Sequence, residues 1–200
     1  MDNDTATEIL EATYRALCQH GYANLTLEDI AGEAKRSKAT VYYYYDSKEA
    51  LFIELLDFIY NRYTARLPSI DGGTPQAQLD ALLNTVLIDD GSAPGHEIRT
   101  ALLEAKAQAP YNETIQTRLL NFDKALFERL LGIITAGVES GEFNATVEPA
   151  VAAEFLVTAI TGAHTRGVAM DRSSEELSKS IIQYVNGYLL GTELSETTHQ

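Results

Sequence analysis

Between residues 26 and 48 the chain gathers groups that suit a phosphate backbone better than a reaction. Thr26, Ser37 and Thr40 offer hydroxyls, Lys35, Arg36, Lys38 and Lys48 offer cations, and four consecutive tyrosines run from Tyr42 to Tyr45. Hydroxyl and cationic groups bond phosphate oxygens, while small and aromatic side chains can meet base edges and the thymine methyl. At 100° per residue, Val41 and Tyr45 share an inward face, and Tyr43 lies nearly opposite with Ala39 on the same outer ridge. Lys38 and Tyr42 fall on one flank, Thr40 and Tyr44 on the other. Four successive residues cannot all face one core, so the tyrosine run is not a simple core segment.

Short elements must hold these groups. Leu27, Ile30, Ala31 and Ala34 recur at i, i+3, i+4, i+7, the apolar stripe of one short helix. Thr26 precedes it as N-cap, with Asp29 in the position of a capping-box partner. Ser37 caps a second short helix and Ser47 a third. Two short helices across a tight connection predict a helix-turn-helix, the motif that lays one helix in a DNA major groove.

The residues Gly21-Tyr22, Thr26, Asp29-Ile30-Ala31, Ala34, Ser37-Lys38-Ala39-Thr40-Val41-Tyr42, Tyr45 and Ser47-Lys48-Glu49-Ala50-Leu51 resemble the N-terminal domain of the TetR/AcrR transcriptional regulators. The resemblance implies DNA-facing roles for Ser37, Lys38, Ala39, Thr40, Tyr42, Tyr43, Tyr44 and Lys48, and a phosphate contact at Thr26. Three departures stand out. The family's turn reads small-Gly-Val before the serine, whereas here it reads Ala34-Lys35-Arg36. A missing glycine strains the backbone if that residue has positive φ, and the change adds two cations, Lys35 and Arg36, to the DNA-facing set. Tyr45 stands where a phenylalanine is usual, and Cys18 where the first helix has an aromatic.

The rest of the chain reads as helix, with no strand-like alternation, repeat or low-complexity tract. The pattern predicts a first helix over 5–20 stopping at Gly21, a fourth over 47–67 and a loop over 68–75. A fifth helix follows over 76–87, a break over 89–95, and a sixth helix up to residue 108. A seventh covers 110–140, a turn 141–143, an eighth 148–170 and a ninth 174–190, before a polar tail that should fray. The fold class expected is all-α: a three-helix DNA-binding domain over 1–47, then a helical bundle over 48–200. The C-terminal part is similar to the same family more loosely. That likeness implies a ligand cavity among the fourth to seventh helices and a dimer face on the last two. Ala152, Leu156, Ala159 and Ala163 make a small-residue stripe that permits close helix approach, and Leu177, Ile181, Val185 and Tyr188 an apolar stripe. We read both as the seam of a homodimer; the other reading is a monomer core. From helical phase, Phe58, Leu102, Phe122 and Leu126 are the apolar cavity candidates, and Arg99, Glu104 and His164 the polar anchors.

Composition narrows the function classes. Net charge −14 and pI near 4.6 are unusual for a DNA binder. The distribution resolves this: three of the six lysines, with Arg36, fall in residues 35–48 against one acid, Asp46. A positive strip on an acidic body docks DNA in one orientation. Scarce lysine and abundant acid also resemble proteins of salt-loving organisms. No apolar leader follows Met1, and the most apolar stretch, 150–163, is too short to span a bilayer and contains Glu154. The single cysteine, Cys18, fits a reducing cytoplasm. The four histidines lack metal-ligand spacing, and no catalytic constellation, metal site or cofactor loop is read. Together with the resemblance, the sequence implies a non-enzymatic, cofactor-free, ligand-responsive repressor that binds a palindromic double-stranded DNA operator as a homodimer. A small, largely apolar molecule would release it. The alternative is a helical ligand- or partner-binding dimer that no longer reads DNA.

Overall fold

A computed structural model describes residues 2–67, 72–87 and 95–190. Among them are nine α-helices and no strand: α1 (Asp2–Asn24), α2 (Leu27–Glu33), α3 (Lys38–Tyr44), α4 (Lys48–Arg66), α5 (Pro75–Leu87), α6 (Gly95–Gln108), α7 (Glu113–Ser140), α8 (Pro149–Met170) and α9 (Ser174–Leu189). The all-α expectation holds. The expected loop at 68–71, the break at 89–94 and the tail 191–200 lie outside the described residues.

Local chemistry sets the boundaries. Gly21 interrupts α1 with φ 69° and ψ 157°, a conformation only glycine adopts without strain. The helical trace resumes for one further turn to Asn24, so α1 is longer than the periodicity implied. The box that opens α2 is complete: Thr26 Oγ1 accepts from the Asp29 N–H at 3.2 Å, and Asp29 Oδ2 accepts from the Thr26 N–H at 2.9 Å. Ser37 Oγ accepts from the Thr40 N–H at 3.0 Å to open α3, and Ser47 Oγ from the Ala50 N–H at 3.0 Å to open α4. The start of α7 is later than expected. Asn112 Oδ1 accepts from the N–H groups of Thr114 and Ile115, while Ala109–Tyr111 form a 3-10 turn around Pro110.

The chain forms two compact units. One comprises residues 1–65 and 91–122. Its core joins Ile9, Ala16 and Leu17 of α1, Ile30 of α2, Val41 of α3, Phe52, Leu55 and Leu56 of α4, and Ala101, Ala105, Ile115 and Phe122 from α6 and α7. The other comprises 66–90 and 123–200. There α5, α8 and α9 pack together, burying Leu82, Leu83, Leu156, Val157, Ile160 and Val185. Two side chains hold the end of α5: His164 Nε2 lies 2.7 Å from the Val86 carbonyl, and Ser178 Oγ donates to the Leu87 carbonyl at 3.3 Å. No helix of the described residues is long and apolar enough to cross a membrane.

Candidate nucleic-acid interface

The turn joining α2 to α3 decides where the recognition groups point. Ala34 is the C-cap of α2, and Lys35 follows at φ 52°, in the left-handed region. The Lys35 N–H bonds the Gly32 carbonyl at 3.1 Å and the Arg36 N–H bonds the Ala31 carbonyl at 3.0 Å. These two bonds are a Schellman motif, whose left-handed position usually holds glycine. The turn therefore keeps the geometry of a glycine turn while carrying a lysine, and Lys35 bears the strain of an L-residue there. Its side chain, like those of Arg36, Ser37, Lys38 and Ala39, is exposed.

Helix α3 buries and exposes the residues that its phase implied. Val41 is fully buried and Tyr45 nearly so, and both join the core beneath. Burial, with Glu54 and Tyr44 nearby, pushes the Tyr45 phenol above its ordinary value, so it stays neutral. On the outer ridge Tyr43 is 79% exposed, with Tyr42 beside it at 47%. The Lys38 ammonium lies 5.7 Å from the Tyr42 ring centroid, which orients the flank they share. Tyr44 is half-buried and packs against the core, its ring edge-on to Tyr43 at 5.2 Å. It thus contributes less outward surface than Tyr42 or Tyr43. Thr40 is half-buried, its hydroxyl 2.8 Å from that of Ser37. At the start of α4 the Lys48 ammonium donates to the Tyr22 carbonyl at 2.9 Å and stands 4.7 Å from the Tyr22 ring centroid. Tyr22 is itself braced on Phe52.

Acids surround this strip, and two of them, Glu8 and Glu28, were not singled out from the sequence. Arg36 pairs with Glu8 of α1 at 2.5 Å, and Lys38 pairs with Glu28 of α2. The Thr26 hydroxyl donates to Asp29 at 2.6 Å. Hydrogen bonds from the Thr26 side chain and backbone hold the Asp29 carboxyl below its ordinary value. Glu8 lies 28 residues before Arg36 and Glu28 ten before Lys38, spacings with no local helical signature.

Residues 9–55, which carry all of this arrangement but Glu8, match the family described as bacterial regulatory proteins, tetR family. Residues 75–186 match the family described as BetI-type transcriptional repressor, C-terminal. A TetR transcription regulator from Haloarcula marismortui is 35% identical over 94% of this chain and 99% of its own, with a TM-score of 0.85. The chain belongs to the TetR family of transcriptional regulators. A helix-turn-helix-type regulator of Mycobacterium tuberculosis is 30% identical over 69% of this chain, a match that spans 65% of that protein's length. A transcriptional regulator from Saccharomonospora viridis, solved in complex with choline, shares the fold at a TM-score of 0.82 and 19% identity, covering 94% of this chain and 98% of its own.

In this TetR-family chain the other expected site residues are placed less simply. Ala152, Leu156 and Val185, read as dimer-seam residues, are buried within the single chain, where α8 and α9 pack on each other and on α5. Ala159, Ala163, Leu177 and Ile181 are half-buried, and Tyr188 is 44% exposed. The open face of the α8–α9 pair lies one residue round the wheel. Val151, Phe155, Tyr184 and Tyr188 are exposed there, with Phe155 and Tyr184 ring centroids 4.8 Å apart and Tyr184 stacked on Tyr188 at 5.8 Å. These rings line a half-open apolar groove floored by Ala152, Leu156, Val185 and Leu189. None of the residues expected at a ligand cavity borders that groove. Phe58 lies under the Arg62 guanidinium at 5.3 Å, and Leu102 packs against the first unit's core. Phe122 is buried with Tyr60 and Tyr63 at 5.2 and 5.6 Å. Glu104 approaches Gly21, where an added Cβ would lie 3.1 Å from its Oε1. Arg99 is half-buried in the same unit, while Leu126 (buried) and His164 (bonded to Val86) belong to the other.

Proposed function

We propose that this TetR-family regulator is a ligand-responsive repressor that binds a palindromic double-stranded DNA operator as a homodimer. Residues 1–47 would read DNA, and residues 48–200 would sense the effector and pair two copies. The carrying observation is α3: a two-turn helix anchored by fully buried Val41, whose 79% exposed Tyr43 stands on a ridge flanked by cations and hydroxyls. Thr26, Lys35, Arg36, Ser37, Lys38 and Lys48 supply phosphate-directed groups; Ala39, Thr40, Tyr42, Tyr43 and Tyr44 supply the ridge and flanks. One such helix reads too few base pairs for useful specificity, which favours a pair on half-sites about 34 Å apart.

Release follows from population shift. The chain passes from α3 through Asp46 and Ser47 directly into α4, so an effector that shifts α4 changes the spacing of the two recognition helices. A small, largely apolar effector is favoured by the aromatic and aliphatic side chains of α4, α6 and α7. The cluster of Tyr60, Tyr63 and Phe122 also suits a quaternary ammonium ion, whose charge aromatic faces accept. Duplexes enriched by the chain from a randomised pool should contain an inverted repeat. A thermal-shift screen of apolar metabolites and choline should yield a compound that weakens binding to that duplex by roughly 5- to 150-fold. If every stabilising compound leaves DNA affinity unchanged, the protein is a constitutive binder.

A further inference from the structure

Every phosphate-directed group flanking α3 that carries a strong internal bond makes it within the same unit, and three of those bonds are to acids: Arg36 to Glu8, Lys38 to Glu28, and the Thr26 hydroxyl to Asp29. We propose that Glu8 and Glu28 act as built-in competitors for DNA phosphate, positioning Arg36 and Lys38 in the free protein and setting how operator affinity responds to salt. The proposal rests on the DNA-binding reading above.

The physics is an exchange. A phosphate that engages a bare cation releases a condensed counterion from DNA, and affinity falls with salt by about 0.9 log units per log unit for each phosphate so neutralised. Here Arg36 and Lys38 are already neutralised, so binding breaks Arg36–Glu8 and Lys38–Glu28 before phosphate contacts form. The freed carboxylates then lie beside the phosphates and take up cations from solution. That uptake cancels part of the release. The pairs are about half-exposed, so an incoming phosphate can reach either cation without unfolding anything. The carboxylates also orient both side chains along the α1–α2 surface, holding them near the α3 flank rather than free in solvent. The outcome is a DNA interface whose affinity is lower at low salt, and flatter across salt, than its cation count implies. An interface with four cations in 35–48 and a net −14 body thereby avoids indiscriminate capture of DNA at low salt.

The test compares Glu8→Gln, Glu28→Gln and the double variant with wild type, using fluorescence anisotropy on the duplex enriched by the wild-type chain, from low to high salt. Glu175→Gln serves as control, since it removes the same charge and breaks a surface pair with Lys179 on α9. Asp29 is left unchanged because its carboxylate caps α2. Each single variant should bind roughly two- to fivefold more tightly at low salt, the scale of one exposed ion pair, and the double variant more tightly than either. Each should steepen the salt slope by up to about one unit, with curves converging at high salt. Arg36→Ala should cost more affinity in the Glu8→Gln background than in wild type. Unchanged slopes, or the same gain from Glu175→Gln, would overturn the proposal. A wild type that retains no duplex even at low salt removes the DNA-binding reading itself, an outcome distinct from binding with unaltered slopes.

Discussion

Two faces of the molecule expose aromatic rings, and their neighbours make them different surfaces. On α3, Tyr42 and Tyr43 stand among Lys38, Arg36 and Ser37, groups that bond water, carboxylate or phosphate. On α8 and α9, Phe155 leans on Tyr184 and Tyr184 stacks on Tyr188 over a floor of Ala152, Leu156, Val185 and Leu189. The first face trades one set of polar partners for another when it binds. The second gains most by leaving water altogether, as an interface between copies does. Ring exposure alone does not say what a surface meets; the charge around the rings does.

The sharpest way to break this contrast is to charge the second face. Phe155→Glu with Tyr184→Glu places carboxylates on exposed positions, so the single chain should still fold. Burying them unpaired at a seam would cost several kcal/mol each. Light scattering should then report monomer at micromolar concentration where wild type is dimeric; an unchanged mass would show that this face is not the seam. Val185→Glu should behave differently, losing the fold rather than the partner, because Val185 is already interior.

The same contrast within the DNA face is smaller. Tyr43→Ala should weaken the cognate duplex about tenfold more than random DNA, as loss of one base-reading group does. Lys48→Ala should weaken both alike and reduce the salt slope by about one unit. Equal losses for the two variants on both duplexes would mean that the ridge and flank are misassigned.

Acid should then loosen the start of α2. Asp29 has a folded-state value below its ordinary one, so its capping contribution is fully present above about pH 4. It disappears as pH falls through the lowered value. Asp29→Asn should abolish this part of the pH dependence, measured as the urea midpoint between pH 6 and pH 2.

The smallest effect expected is at Lys35. Glycine there relieves the left-handed strain but loosens the unfolded chain, for a net gain of at most about 1 kcal/mol. A melting temperature that falls in Lys35→Gly would mean that the lysine side chain stabilises the turn by more than its backbone strain costs.

The α3 faces were legible in the sequence because one strongly apolar residue, Val41, sets the phase of a helix with polar residues on its remaining sides. The caps were legible for a similar reason, since Thr26, Ser37 and Ser47 bond backbone groups three residues away. Even the strain at Lys35 followed from a single missing glycine. The face of α8 was not legible in this way. Ala152 and Val151, or Leu156 and Phe155, are adjacent and all apolar, so two neighbouring stripes compete for the interior. Only the packing of α5 and α9 decides between them, and it takes the smaller residues. The Glu8–Arg36 and Glu28–Lys38 pairs were equally hidden, because tertiary ion pairs between helices leave no period in the chain.

The carbonyl of Val86 can only accept, so His164 Nε2 is the donor of that pair. With Ser178 gripping the adjacent carbonyl from α9, the last turn of α5 is riveted to both arms of a helical hairpin. It cannot unwind alone. Rotation of that last turn is thereby coupled to α8 through His164 and to α9 through Ser178.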